Sequence, residues 1–451
     1  MTKMSRRTFL NTTGRVAAGA VVGGLVLAAK GEEKAPPPSN RVRLAMIGCG
    51  GRGSYVMRGL AEAGGQIVTL CDLRQNRLDS CTKFLAEVQK DAPTQTKEMQ
   101  KVFDDKNIDA IIVATPDRWH APATIRACQA GKDVYVEKPH SHNIWESGKT
   151  VEAARKYNRI VQVGTQSRSG PYTIAARDYV ASGKLGKIGI VKVFNMKSGG
   201  PFKLGEPGTP PAGFNWDAWL GAAPERPFHQ QLVGSGWHQF WDFCGGDLCD
   251  DSIHQLDLAL MVLGDPAPPK SVRGVGGRYV HRGDDSEVPD VQAVNWDYDK
   301  FLMTYENTGY PRYMEKTSIT IRRNDLFPYW TMNSTRIEIY GSELLMTLGR
   351  HGGGWIVQQS GGGTVEKMYG RPCDEPHYAN FLECVRSRKK PNADIGIAHT
   401  SLLAAHMGNI ATRLGGTALN FDAAKVAFDK PEANVMARGT YRKGYEISDA
   451  V

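Results

Sequence analysis

The chain has 451 residues, of which 41% are hydrophobic and 23% charged, a composition that excludes a largely disordered protein and allows two or three domains. Its formal charge of +9 is unevenly distributed, because six basic and two acidic residues in the segment 1–40 supply four of these charges. The other five are spread over residues 41–451 with no dense basic block, so we expect no nucleic-acid partner.

The N-terminus has the features of an export signal. A twin-arginine motif, S-R-R-T-F-L at Ser5–Leu10, precedes a weakly apolar run at Val16–Ala29 and then a proline-rich linker. The run is too short to span a bilayer comfortably as a helix. We therefore expect residues 1–40 to be a signal and linker, a periplasmic or otherwise exported location, and no stable membrane anchor after signal removal.

An apolar strand at Val42–Ile47 leads directly into a glycine-rich loop with the pattern G-x-G-x-x-G, and a helix follows from about Ser54. In such a loop the first glycine makes a tight turn, the second lets the backbone approach a pyrophosphate, and the third lets helix and strand pack closely. The predicted cofactor contacts of this loop are Gly48, Gly50, Gly51, Arg52 and Gly53.

A second strand, Ile67–Cys71, ends in Asp72, which lies 19 residues after Gly53. A carboxylate at this position accepts hydrogen bonds from the ribose hydroxyls of a dinucleotide, which favours NAD. Arg74 is a further candidate contact that can tolerate a 2′-phosphate, so NADP stays possible.

Further short apolar runs alternate with helical stretches and predict a parallel, doubly wound sheet. The predicted strands are Ala110–Ala114, Asp133–Val136 and Ile160–Gly164, and the helices between them are Ala121–Ala130 and Ile144–Tyr157.

Several motifs together resemble one family of enzymes. The segments A-T-P-D-R-W-H at Ala114–His120, A-G-K-D-V-Y-V-E-K-P at Ala130–Pro139 and G-G-D-L-C-D-D-S-I-H-Q-L-D at Gly245–Asp257 are similar to the Gfo/Idh/MocA oxidoreductases. The twin-arginine motif makes the exported members of that family the nearest likeness. The resemblance implies NAD(P) as cofactor and extends over nearly all of the chain after residue 40.

The resemblance also implies a fold: a Rossmann domain, predicted at 41–165, and an α/β domain with a large, mostly antiparallel open sheet, predicted at 166–451. The sequence agrees, because an alternation of period two begins near Gly189. Further strands are predicted at Val291–Tyr298, Phe301–Tyr305, Thr335–Tyr340 and Trp355–Gln358, and late helices near Tyr378–Ser387 and Thr400–Leu414. Homo-oligomers, dimers or tetramers, are expected from the family.

The family likeness carries over onto particular residues of this chain. Lys138 in the Glu-Lys-Pro motif is expected to assist proton transfer or to orient a substrate hydroxyl. Further cofactor contacts are expected at Thr115, Pro116, His120 and Glu137.

Asp250 and His254 match the family's Asp-x-x-x-His arrangement. Residues four apart share a face of a helix, as does Asp257 three residues further on. We expect His254 to act as general base and Asp250 to orient it or to bind substrate hydroxyls. Asp257 is expected to support the site or to be structural.

Two residues outside these motifs are further candidates for substrate contact. Arg168 follows a strand end of the Rossmann region, and Trp241 precedes the aspartate motif, where an aromatic ring can stack on a sugar. Packing in the core is an equally good interpretation of Trp241.

The eight cysteines give no metal-binding pattern, since no two of them form a C-x-x-C pair, and we expect no metal. Their even number permits disulfides in an exported protein. Cys49 and Cys71, however, lie in segments that read as buried core, where reduced thiols are expected.

We therefore expect an NAD(P)-dependent oxidoreductase that acts on a hydroxyl or keto group of a sugar, glycoside or cyclitol. An alternative is an NAD-assisted glycosidase or lyase that works through a transient keto-sugar. A second alternative is a non-catalytic, nucleotide-bound binding protein.

Overall fold

The computed structural model describes residues 41–451, so the predicted signal and linker lie outside the described residues. The first part of the chain forms six strands: β1 (Arg43–Ile47), β2 (Gln66–Cys71), β3 (Thr94–Thr96), β4 (Ala110–Val113), β5 (Asp133–Val136) and β6 (Val161–Val163). The helices between them are α1 (Gly51–Glu62), α2 (Gln75–Leu85), α3 (Met99–Asp104), α4 (His120–Gln129) and α5 (Ile144–Lys156).

These six strands make one parallel sheet in the order β3-β2-β1-β4-β5-β6. β1, β4 and β5 are buried on both faces, which explains their continuous apolar sequences. The strand order reverses between β1 and β4, and ligands bind at the carboxyl ends of the strands at such a switch point. The predicted Rossmann fold is confirmed.

The second part of the chain begins with α6 (Pro171–Ala181) and contains a ten-stranded sheet. The strands are β7 (Ile188–Met196), β8 (Ser271–Gly277), β9 (Val291–Asp297), β10 (Leu302–Thr308), β11 (Arg336–Gly341), β12 (Leu345–Gly349), β13 (Trp355–Gln358), β14 (Thr364–Met368), β15 (Leu419–Asp422) and β16 (Ala427–Phe428). The remaining helices are α7 (Trp216–Leu220), α8 (Gln230–Val233), α9 (Gly246–Asp250), α10 (Ile253–Val262), α11 (Ile319–Arg323), α12 (Asp374–Ser387), α13 (Ile395–Arg413) and α14 (Pro431–Arg438).

The large sheet has the order β14-β13-β12-β11-β7-β10-β9-β8-β15-β16 and is antiparallel except between β7 and β10. Its inner face packs on α10 and α13, whose residues are apolar almost all round because both helices are covered on every side. This confirms the mostly antiparallel second sheet.

Late helices return to cover the first sheet. Tyr378, Phe381 and Leu382 of α12 belong to the same buried cluster as Leu44 of β1 and Leu60 of α1. α12 therefore belongs to the helical layer that covers the first sheet, although it lies late in the chain.

Two further findings concern the described part of the chain. None of its helices has both the length and the apolar character needed to cross a membrane. All eight cysteines are buried free thiols, as expected for Cys49 and Cys71.

Candidate active site

The glycine-rich loop at the carboxyl end of β1 has the geometry that its three glycines predict. Gly48 has a φ of +95°, and a Cβ there would lie 2.6 Å from the carbonyl oxygen of Ala114. A Cβ on Gly53 would overlap the carbonyl oxygen of Gly48, so only glycine lets α1 approach β1 this closely. A Cβ on Gly50 would meet nothing within 4 Å, because Gly50 borders open space.

This open space is suited to an anion. α1 begins at Gly51, has Gly50 as a cap without a side chain, and carries no acidic residue in its first turn. Its first backbone N–H groups therefore lack internal acceptors and present partial positive charge to the cleft. A pyrophosphate fits this position.

Asp72 and Arg74 lie at the neighbouring strand end and border the same cleft. The Asp72 carboxylate accepts hydrogen bonds from the backbone N–H of Cys49 at 2.8 Å and of Arg74 at 2.9 Å. The Arg74 side chain turns back, with Nε 3.6 Å from Asp72 and Nη1 donating to the Val233 carbonyl at 3.3 Å. Because Asp72 is held in place and Arg74 already contacts Asp72 and the Val233 carbonyl, the site favours the ribose hydroxyls of NAD over the 2′-phosphate of NADP.

Several buried polar atoms along the cleft have no hydrogen-bond partner within residues 41–451. They are Thr115 Oγ1, His120 Nε2 and Glu137 Oε2. Unsatisfied buried groups are costly, so a polar ligand that bonds to them would be stabilising. Together with the free N–H groups of α1 and with Asp72, they fit NAD.

Arg52 and Glu137 fix the floor of the cleft. Arg52 Nη2 lies 2.9 Å from Glu137 Oε1, and the Glu137 side chain is almost completely buried. Burial alone raises the pKa of Glu137, but the charge of Arg52 holds it below its usual value. Pro116 also lines this cleft, as do all the other predicted cofactor contacts from the loop to Glu137 except Gly53, which packs against Gly48 instead.

Lys138 follows Glu137, and its bond to Pro139 is cis, as the family likeness implies. Its Nζ donates to Asp250 Oδ1 at 2.9 Å and to the Asp250 backbone carbonyl. Burial lowers the pKa of Lys138, but the neighbouring carboxylates of Asp250 and Glu137 more than offset this and raise it. Lys138 is therefore an ammonium group at neutral pH, a donor and not a base.

His238 completes this group, although no sequence motif assigns it a distinct role. Its Nδ1 lies 2.6 Å from Asp250 Oδ2, and its ring stacks on Trp237 with a centroid separation of 3.6 Å. Burial lowers the pKa of His238, but the Asp250 carboxylate outweighs burial and raises it. The loop that brings His238 to Asp250 has no periodic pattern, so only the folded chain reveals the contact.

The Asp250 carboxylate thus contacts both Lys138 and His238. Burial raises its pKa, yet the charges of His238 and Lys138 hold it well below its usual range. Asp117, buried beside this pair, has its pKa raised by burial and then by the charge of Asp250. Asp117 is the second functional candidate that the sequence did not single out.

The expected pairing of Asp250 with His254 is wrong. α9 ends at Asp250 and α10 begins at Ile253, so a turn, and not one continuous helix, separates the two side chains. No hydrogen bond joins them in the described structure. The pKa of His254 is well below its usual value because of burial and then of the positive charges of Arg350 and Lys138.

Two predicted substrate contacts lie elsewhere. Arg168 is almost completely buried, and its guanidinium binds Asp257 at 2.8 Å and Asp265 at 2.8 Å, which makes it a structural tie to α10. Asp257 therefore has the structural role. Trp241 lies under the guanidinium of Arg413, 4.9 Å from its ring centre, and lines a separate cavity.

One cleft of about 480 Å³ joins these parts. At one end are the glycine loop and Asp72, and at the other are Lys138, His238 and Asp250. His120 also borders it, and its Nδ1–H donates a hydrogen bond to the Pro139 carbonyl at 2.6 Å. A bound dinucleotide and a small substrate would therefore meet beside the Lys138 ammonium group.

Comparisons with known proteins agree with this arrangement. The scyllo-inositol 2-dehydrogenase (NAD(+)) of Bacillus subtilis (strain 168) is 26% identical over 382 residues, which is 80% of this chain and 94% of that protein. The α-N-acetylgalactosaminidase of Shewanella oneidensis is 25% identical over 206 residues, 42% of this chain and 45% of that protein. The second match therefore spans less than half of either protein.

Solved structures share the fold at low sequence identity. A levoglucosan dehydrogenase, solved with NADH and levoglucosan, has a TM-score of 0.62 and 16% identity over 86% of this chain and 98% of its own. The aldose-aldose oxidoreductase of Caulobacter crescentus, solved with glycerol, has a TM-score of 0.63 and 18% identity over 84% of this chain and 100% of its own.

Family models cover most of the described chain. Residues 42–165 match the model described as oxidoreductase family, NAD-binding Rossmann fold. Residues 192–299 and 363–447 match the model described as oxidoreductase family, C-terminal alpha/beta domain. The chain belongs to the Gfo/Idh/MocA family of oxidoreductases.

Proposed function

We propose that this protein is an NAD-dependent oxidoreductase that interconverts a hydroxyl and a keto group on a sugar, glycoside or cyclitol. The observation that carries the proposal is the single cleft that runs from the dinucleotide loop to the Lys138–Asp250–His238 group. Its full-length relative from Bacillus subtilis, an inositol dehydrogenase, supports the cyclitol and sugar class.

In the oxidising direction the substrate hydroxyl lies against Lys138. The Lys138 ammonium group donates a hydrogen bond to the reacting oxygen and stabilises the negative charge that develops on it. Bound NAD supplies the acceptor for the hydride that leaves the carbinol carbon. Gly50, Thr115 and Asp72 hold the dinucleotide in this account.

His238 accepts the hydroxyl proton. Its pairing with Asp250 fixes the ring and makes it the more basic of the two neighbouring imidazoles, since the pKa of His254 is well below its usual value. His254 is buried, and its lowered pKa keeps it neutral. It is also the alternative proton acceptor, as the sequence motif suggests.

The glycosidase alternative has a specific observation in its favour, the partial match to the α-N-acetylgalactosaminidase. Such an enzyme returns the hydride to the sugar after eliminating the leaving group, so no net NADH accumulates. The more complete match to a dehydrogenase favours net oxidation for this chain.

Export by the twin-arginine route and assembly into dimers or tetramers complete the proposal. The motif at Ser5–Leu10 supports export of a folded enzyme with its cofactor already bound. The open face of the ten-stranded sheet is the surface through which homo-oligomers would form, as in the family.

The experiment has two steps. Denaturing the purified protein and analysing the released small molecules by mass spectrometry is expected to yield NAD or NADH. NADH formation is then measured over a panel of sugars, cyclitols and sugar acids, each with added NAD. No retained or bindable nucleotide, together with no turnover of any member, would reject the proposal.

A further inference from the structure

A group of four basic side chains adjoins the catalytic turn and has no part in the mechanism above. We call it the cationic cluster, and its members are Lys197, Lys316, Arg322 and Arg350. It is organised around Asp251, the residue directly after Asp250. The cluster is therefore tied by the chain itself to the group that contacts Lys138.

Asp251 alone contacts three of the four cations. Its Oδ2 lies 3.0 Å from Lys316 Nζ and 3.5 Å from Lys197 Nζ, and its Oδ1 lies 3.9 Å from Arg350. Lys197 also reaches Asp247 at 2.6 Å. One carboxylate shared among three cations leaves each of them incompletely neutralised.

The positive charge of Arg350 is only weakly compensated by a neighbouring carboxylate. Its side chain is only 13% exposed, and Asp251 at 3.9 Å is its closest carboxylate in the described chain. Its Nη1 donates to His351 Nδ1 at 3.2 Å, which leaves most of its five N–H donors unused. A largely buried guanidinium without a close anion is costly, and a bound anion would remove that cost.

Arg322 is a second member of the cluster whose positive charge is not matched by a close carboxylate. Its Nε donates to the Thr317 carbonyl at 2.6 Å, and no ion pair of its side chain is found within residues 41–451. The nearest acidic group that acts on it is Asp374, which is also 3.9 Å from Arg52. Four cations thus face three carboxylates, Asp247, Asp251 and Asp374, and one positive charge is in excess.

The cluster is close to the reacting groups. After burial, the charges of Arg350 and Lys138 are the main influences that depress the pKa of His254, so its imidazole lies near both. Arg52, which lines the cofactor cleft, likewise acts on Arg350. Geometry gives the same connection, because Arg350 lies 3.9 Å from Asp251 and the preceding residue, Asp250, lies 2.9 Å from Lys138, so an anion bound by Arg350 would adjoin the turn that Lys138 contacts.

We propose that the substrate is a sugar acid, whose carboxylate is bound by Arg350 and the lysines of the cationic cluster while its reacting hydroxyl lies at Lys138. This rests on the proposed function and names its substrate class. A single excess positive charge matches a monoanionic carboxylate, and the planar fork of Arg350 suits a carboxylate bound through two oxygens.

The test compares matched pairs of acid and neutral sugar. D-Glucuronate and D-gluconate are measured against D-glucose, and D-galacturonate against D-galactose, with D-glucose 6-phosphate as the phosphate arm. Two readouts are used: kcat/KM for NADH formation, and the rise in Tm of the NADH-loaded protein, which needs no turnover. At least one acid is expected to exceed its neutral partner by about tenfold in kcat/KM or binding constant.

Variants then locate the effect. Arg350→Gln is expected to raise the KM or Kd for the acid by about 30-fold, the loss of a charged hydrogen-bond pair, with kcat changed by less than about threefold. Arg350→Lys is expected to restore part of the affinity because it keeps the charge. Arg323→Gln is the matched control, since Arg323 is an exposed arginine of the same short helix as Arg322.

The outcomes separate this inference from the proposed function. Turnover or binding of neutral sugars that equals or exceeds that of the acids overturns the sugar-acid assignment and leaves the oxidoreductase proposal standing. A preference for the phosphate ester, or an equal loss in Arg350→Gln and Arg323→Gln, also overturns it. Absence of all nucleotide binding and turnover would reject the proposed oxidoreductase function. Absence of acid binding in the Tm assay would count against the sugar-acid inference even in that case.

Discussion

At the scale of single residues, we propose different roles for Lys138, which keeps its proton and donates a hydrogen bond, and His238, which accepts the substrate proton. Both contact the Asp250 carboxylate, at 2.9 Å and 2.6 Å, and both have raised pKa values despite burial. Lys138 then stays charged across the physiological range, whereas His238 is an imidazole whose pKa is raised above its ordinary value by Asp250. The spacing of Asp250 and His254 in the sequence predicts His254 as the base, whereas we propose His238, which contacts Asp250.

A pH profile distinguishes the two imidazoles. His238 faces Asp250, Asp117 and Lys138, and its pKa lies above the ordinary 6.5. Oxidation needs the unprotonated ring, so kcat/KM should be low in acid, rise through this raised pKa and level off above it. If His254 were the base, the rise would lie well below pH 6.5.

The variant His238→Gln is expected to remove that acid limb and to lower the plateau by about 10²-fold to 10⁴-fold. His229→Gln is the matched control, because His229 is partly exposed and its side chain hydrogen-bonds only to the Gly205 carbonyl among the described residues. An unchanged profile in His238→Gln would contradict the role given to His238.

At the scale of elements, two substitutions at the junction of β1 and α1 are expected to separate an effect on stability from an effect on NAD binding. Gly53→Ala places a methyl group on the Gly48 carbonyl, so we expect a loss of stability of about 1–3 kcal/mol. Gly50→Ala meets open space and should change stability by less than about 0.5 kcal/mol while weakening NAD binding, because the methyl group occupies the pyrophosphate position.

Urea unfolding and NAD titration of both variants check this pair. Equal stability loss in the two, or undiminished NAD affinity in Gly50→Ala, would be inconsistent with the assigned positions.

The ion pair between Arg168 and Asp257 of α10 provides a second test at the scale of elements. Because Arg168 binds the fully buried Asp257, Arg168→Gln leaves a buried carboxylate unpaired, which should cost about 3–5 kcal/mol of unfolding free energy. KM for the sugar should not change in the fraction that is folded. A raised KM with undiminished stability would return Arg168 to the substrate site.

These elements also show what sequence patterns can and cannot predict. The strands β1, β4, β5 and β13 are apparent from local apolar runs and match the expected bounds to within a residue. The break between α9 and α10 is not apparent, because D-x-x-x-H spacing fits a continuous helix equally well. Contacts across long loops, such as His238 to Asp250, depend on tertiary packing and leave no periodic signal.

At the scale of the whole molecule, the charge of the chain has two separate origins. Residues 1–40 supply four units of its net charge of +9, and within the described part the cationic cluster concentrates positive charge beside the catalytic turn. This uneven distribution of charge gives no reason to expect a nucleic-acid partner.

Replacing Arg6 and Arg7 by lysine tests the export signal. In a bacterium with a twin-arginine export system, the full-length protein should reach the periplasm and the double variant should remain in the cytoplasm, folded and able to bind NAD. Cell fractionation with antibody detection provides the measurement. Equal export of both forms would remove the basis for the proposed location.

The most direct test of the central claim is the ratio of NADH formed to keto-product formed, measured in deuterated water for the wild type and Lys138→Met. A dehydrogenase gives one NADH for each product and no deuterium at the carbon beside the new carbonyl at the earliest times, and Lys138→Met lowers the rate by about 10²-fold or more. Product released without net NADH, with deuterium at that carbon, would contradict the account and favour the glycosidase alternative.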